Sequence, residues 1–153
     1  MKLKSAILMA MASAVCSFAQ AESTSADIPL SMEIKPLCTI DTPTKQVVVP
    51  ANGTSATAKY TVTCNTGYSI AVSSRNYFSD RTNLVNAANN QSLYTLIGTK
   101  GPNNSDIGIM YAGKAFPGSS VDQYNLDVRL NSPVTATTLA GTYTDTYKIL
   151  VTY

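Results

Sequence analysis

"AGTYTDTYKILVTY", residues 140–153, sets Tyr143, Asp145, Tyr147, Ile149, Val151 and Tyr153 on one face of an extended chain, because side chains two apart in a strand point the same way. Apart from Asp145 near its start, that face is apolar or aromatic, which predicts a strand half buried as far as Tyr153. The same pattern stands near the other end. In "ADIPLSMEIKPLC", residues 26–38, Ile28, Leu30, Met32 and Ile34 point one way while Pro29, Ser31 and Glu33 point the other. Segments near a chain end fray unless something ties them down, so a strand-like apolar alternation there calls for a partner.

What precedes residue 26 reads as an export signal. Lys2 and Lys4 are followed by an apolar run from Ala6 to Val15 and then by Ala19-Gln20-Ala21, the charge, core and small-residue order of a secretory signal peptide. That run is too short for a helix crossing a bilayer. The expected division is a signal at 1–21, an extension at 22–36 and a domain at 37–153, with Cys16 leaving with the signal. Cys38 and Cys64 then remain. They could pair with each other, stay as two thiols or bridge between chains, and an oxidising compartment favours the internal pair. The loop of about 26 residues that it closes is worth roughly 3 kcal/mol in the chain-entropy account.

Between these landmarks short strands alternate with turns. Gln46–Val49 is a brief β-branched run stopped by "PANG"; Ala58, Tyr60, Val62 and Cys64 alternate; "NTG" turns the chain; and Tyr68, Ile70 and Val72 alternate again, so the two read as a strand pair. A short strand near Leu84 is expected within a polar stretch, followed by Leu93–Gly98, Ile107–Ala112 and Tyr124–Leu130. No stretch beyond the signal shows a helical apolar period. The fold class expected is all-β, a sandwich of immunoglobulin-like type.

Composition narrows the function. Of 11 basic residues Lys2 and Lys4 fall in the signal, leaving nine against nine acidic, so neither nucleic acid nor an anionic membrane is an expected partner. The chain has no histidine, which removes Ser/His/Asp and Cys/His arrangements, and no ligand cluster suits a metal; no enzyme activity, metal or cofactor is expected. Asp80 with Arg81, and Asp127 with Arg129, read as solvated surface charge before they read as a site. Tyr94, Tyr111 and Phe116 read as strand residues before an aromatic binding patch. The glycosylation-type triplets at Asn52, Asn90 and Asn103 are what chance supplies in a chain this rich in Asn, Ser and Thr.

Four features in order carry a resemblance: the alternating "DIPLSMEIKPLC" before a first cysteine, "YTVTC" ending the next strand with a second, "NTGYSIAVSS", and the closing "AGTYTDTYKILVTY". Together they resemble the subunits of chaperone–usher fimbriae over residues 22–153. The closing motif looks like spore coat U-type pilins, while "CNTGYSIAVSS" and "SLYTLIG" are similar to Dr-type and aggregative-adherence adhesins. The resemblance implies an incomplete immunoglobulin-like sandwich of six to seven strands, completed by a strand donated from a neighbouring subunit. It implies a donor strand presenting Ile28, Leu30, Met32 and Ile34, and a groove and chaperone-binding strand presenting Tyr147, Ile149, Val151 and Tyr153. Implied partners are identical or related subunits, a periplasmic chaperone, an outer-membrane usher and a host receptor. The implied location is the surface of a Gram-negative bacterium, reached through the periplasm, with adhesion or biofilm formation as the role. Pro29 departs from the pattern, since it has no N–H for a ladder. The other reading is a monomeric or tip-located adhesin with a complete sandwich that binds a receptor through its loops.

Overall fold

The computed structural model describes residues 22–153; the expected signal, with Cys16, lies outside them. The chain divides into two units at Glu33/Ile34, and each is described by itself. In the first, residues 22–33 have no assigned secondary structure.

The second unit is all-β: β1 (Cys38–Asp41), β2 (Ala56–Cys64), β3 (Tyr68–Ser74), β4 (Thr82–Asn86), β5 (Gln91–Lys100), β6 (Lys114–Phe116), β7 (Ser120–Leu130) and β8 (Tyr147–Thr152), with one short 3-10 turn at Pro102–Asn104. Two antiparallel sheets form, a five-stranded one in the order β1-β2-β7-β5-β4 and a three-stranded one in the order β6-β3-β8. This is the immunoglobulin-like sandwich that the strand spacing predicted, with the three-residue β6 as an addition.

Alternation sets each strand's inward face. Tyr60, Val62 and Cys64 of β2, Tyr68, Ile70 and Val72 of β3, and Tyr124 of β7 form the main core with Ile107. Tyr60 and Tyr124 stack with ring centroids 5.0 Å apart, and Phe116 meets Tyr124 edge-on at 5.8 Å. Ala58, Leu126 and Val128 make a second, smaller cluster, against which Val47, Val49 and Ile97 pack.

Three expectations are corrected. β2 and β3 are not a pair: β2 lies between β1 and β7, whereas β3 lies between β6 and β8, so the "NTG" turn carries the chain from one sheet to the other. Ile107–Ala112 is not a strand. Ile107 is buried and Ile109 bridges Val72, but Met110 adopts φ 61°, a left-handed conformation that breaks an extended run. Gln46–Val49 has the inward valines but no strand partner among the described residues. At the turn into β7, Gly118 has φ +72°, and a Cβ there would collide with the Thr66 carbonyl.

Candidate functional site: an open sheet edge beside a groove

β8 is the last strand of its sheet, bonded to β3 and to nothing on its other side among the described residues. Its phase follows from one bond. The Arg75 N–H donates to the Thr146 carbonyl at 2.9 Å, continuing the register in which Ser73 opposes Lys148 and Ala71 opposes Leu150. Bonded and non-bonded positions alternate in an antiparallel pair, so Lys148, Leu150 and Thr152 turn their backbone groups toward β3. Tyr147, Ile149 and Val151 therefore present N–H and C=O at the open edge. The same three residues are the half-buried ones, with side chains against the core.

Beside that edge lies a groove of about 490 Å³. Its lining includes Val47 and Val49 from the segment before β2, Ile97, Leu126 and Val128 from the five-stranded sheet, and Tyr147 and Ile149 from β8, with polar neighbours among them such as Lys45, Gln46, Thr95 and Asp145. One end is set by the path of the chain. The backbone of Thr144 exchanges two hydrogen bonds with Val85 of β4, at 2.9 and 3.0 Å, before the chain crosses to the other sheet as β8. Asp145 fixes the crossing: its carboxylate accepts from Ser74 Oγ at 2.6 Å, from Asn76 N–H at 3.0 Å and from Thr146 N–H at 2.7 Å. Those bonds explain why a carboxylate stands in an otherwise apolar pattern. Tyr147 spans the gap between the sheets, its hydroxyl 2.7 Å from Thr99 Oγ1 and 3.4 Å from that of Tyr60, and burial pushes its pKa up.

The residues singled out in the sequence fall as follows. Tyr147 and Ile149 line the groove; Val151 packs against the main core; Tyr153 is 58% exposed, beyond the last residue of β8. Ile28, Leu30, Met32 and Ile34 are all exposed, between 70% and 93%, and in no strand. Four large apolar side chains so exposed in one short stretch form a surface that water disfavours. Val47, Val49, Ile97, Leu126 and Val128 fall in stretches read as strands or β-branched runs, but nothing in their pattern marks them as the lining of a groove.

The root of the extension is held within the second unit. Asn65 accepts from Leu37 N–H at 2.8 Å, donates through its side chain to the Lys35 carbonyl at 2.9 Å and through its backbone to the Leu37 carbonyl at 3.1 Å. Next to it Cys38 and Cys64, directly opposed in the β1–β2 register, form a disulfide. The other candidates assemble no site. Asp80 accepts from the Tyr77 hydroxyl, Arg81 lies over the Tyr94 ring at 5.2 Å, Asp127 accepts from Ser55, and Arg129 is exposed. The three aromatics part ways, with Phe116 in the core, Tyr94 under Arg81 and Tyr111 exposed.

No family model matches the sequence, and neither does any curated protein. Among solved structures the chain is similar to a chain of the CsuC-CsuE chaperone–tip adhesion subunit pre-assembly complex, from the archaic chaperone-usher Csu pili of Acinetobacter baumannii, with a TM-score of 0.54. The fold is pilin-like. Identity is 17%, and the match covers 78% of this chain and 40% of that one, so the likeness is one of fold. The pilin-like sandwich is thus known from a chaperone–usher pilus assembly, and here its β8 edge has no strand partner among the described residues and lies beside a groove.

Proposed function

We propose that this protein is a structural subunit of a chaperone–usher surface fimbria, polymerising by donor-strand exchange and serving adhesion or biofilm formation. The observation that carries the reading is the pairing of opposites in one chain: a β8 edge with no strand partner among the described residues, beside a groove into which Val47, Val49, Ile97, Leu126 and Val128 contribute apolar surface, and an exposed alternating segment, Ile28 to Ile34, of the kind that fills such a groove. Burying four such side chains at about 1.5 to 3 kcal/mol each gives roughly 6 to 12 kcal/mol before ordering costs. Before assembly a periplasmic chaperone covers the same edge, because an unpaired edge beside apolar surface aggregates. An outer-membrane usher then accepts the subunit, and the fibre stands on the cell surface with a host receptor as its outward partner.

Deleting Glu22 to Lys35 tests this. Subunits without the segment should still bind a chaperone but form no ladder of polymers on unheated denaturing gels. A wild-type ladder from the deleted chain would end the reading.

A further inference from the structure

Resting on the donor-strand reading above, we infer that Glu33 of one copy and Lys148 of the next form the cross-strand ion pair that sets the register of insertion. The phase of β8 governs what can pair with it. Its open edge offers backbone groups at Tyr147, Ile149 and Val151, residues whose side chains face inward. In an antiparallel pair, residues directly opposite one another share both the face of the sheet and the hydrogen-bonding phase. The inserted residues opposite these three must therefore face inward and turn their own N–H and C=O to β8, which are the even-numbered members of the extension.

With Ile34 opposite Tyr147, Met32 opposite Ile149 and Leu30 opposite Val151, every ladder position has an N–H, and Ile28 comes opposite Tyr153. Pro29 and Pro36 then fall opposite Thr152 and Asp145, where neither missing N–H belongs to the β8 ladder. Shifting by two residues one way sets Pro36 against Tyr147, whose carbonyl loses its donor, and brings Lys35 opposite Lys148. Shifting the other way sets Ile34 against Asp145, whose carboxylate is held by Ser74, Asn76 and Thr146. Parallel insertion reverses the phase. Seating all four apolar side chains beside β8 then requires the N–H that Pro29 lacks, and seating three leaves Ile28 outside.

The favoured register places Glu33 directly opposite Lys148 on the outer face, at a non-hydrogen-bonded position where Cα atoms stand about 4.5 Å apart. Both residues are exposed, and the one ion pair among the described residues is Lys100–Asp106. On the β3 side Lys148 faces the neutral Ser73. Opposite charges directly across a sheet stabilise, and like charges destabilise. Neither shifted register, and neither parallel arrangement above, sets Glu33 directly opposite Lys148.

Two sets of variants in the full chain, exported by its own pathway, test the pair. Glu33→Lys and Lys148→Glu should each speed the loss of subunits from polymers roughly two- to fivefold at low salt, and the double reversal should restore the wild-type rate. Glu33→Cys with Lys148→Cys should yield covalent, non-reduced polymers, whereas Pro29→Cys or Ser31→Cys with Lys148→Cys should not. Cross-linking at 29 or 31 in place of 33, or a double reversal no better than the single ones, overturns the register. If the chain lacking Glu22 to Lys35 still polymerises, the donor-strand reading itself falls; if polymers need that segment but the pair fails, the register alone falls.

Discussion

The core around Tyr124 and the core around Leu126 are built by the same two strands, and one is sealed while the other, though buried, borders the groove. β2 gives Tyr60 and Val62 to the first and Ala58 to the second; β7 gives Tyr124 to the first and Leu126 and Val128 to the second. In the sealed half β3 lies opposite and Phe116 closes over the tyrosines, leaving Val62, Ile70 and Tyr124 at 0% exposure. In the other half Val47 and Val49 come from a segment with no strand partner, and the groove remains. The difference between the two halves lies in what covers them, which no single strand encodes.

The largest effect expected is that of deleting Glu22 to Lys35, which should abolish polymers while leaving the sealed half, and so the folded domain in a chaperone complex, intact by circular dichroism. Ile149→Asp or Val151→Asp comes next. An unpaired charge on the inward face of β8 should cost several kcal/mol, weaken chaperone capture in a pull-down and remove surface fibres. Cys64→Ser should lower periplasmic recovery, with a loss of roughly 3 kcal/mol read from denaturant melts. Ile70→Ala should cost about 2 to 5 kcal/mol alike in the lone subunit and in the fibre, whereas Ile149→Ala should cost more in the fibre, where an inserted strand covers it. Equal costs for Ile149→Ala in both states would erase the contrast between the halves.

The tyrosines of the sealed half set an alkaline limit. Burial pushes the phenol of Tyr124 up to about 12, and burial with a hydrogen bond to the Asp122 carboxylate raises that of Tyr68 further. A phenol whose folded pKa is raised contributes stability that is complete below its ordinary pKa of 10 and is lost as pH climbs through the folded value. Stability should therefore begin to fall above pH 10 and keep falling through about 12, with ultraviolet titration showing tyrosinate appearing with unfolding. Lys148→Asp should have the smallest effect on the lone subunit, because exposed charges contribute about 0 to 1 kcal/mol.

Much of this was legible in the sequence and some could not be. Alternation located β2, β3, β7 and β8 because each has one buried face, whereas β1, four residues without a buried one, shows no such pattern. Partner choice was not legible. The alternation of Tyr60 and Val62, like that of Ile70 and Val72, says which way side chains point and nothing about which strand lies alongside, so a turn between sheets looked like a hairpin. The closing strand looked longer than it is, since Tyr143 and Asp145 keep its period while their backbone is engaged in the crossing at Thr144. Lys114-Ala115-Phe116 has too few residues to show a period at all. Tyr147 and Ile149 were legible as candidate groove residues, whereas the contribution of Val47 and Val49 needed coordinates, because a groove is a relation between segments distant in sequence.

The disulfide has a mechanical consequence. Any tension along a fibre of such subunits would enter each domain from its extension at Leu37, and β1, the first strand it meets, is only four residues long. Alone, that short ladder would be the weakest link in the load path. Because Cys38 is bonded to Cys64, the pull bypasses β1 and passes at once into β2, whose nine residues are all paired with β7. Force along those strands loads their hydrogen bonds in shear, together, and does not peel them one at a time. Asn65, gripping Lys35 and Leu37 on the far side of Cys64, holds the incoming chain in line with that bond.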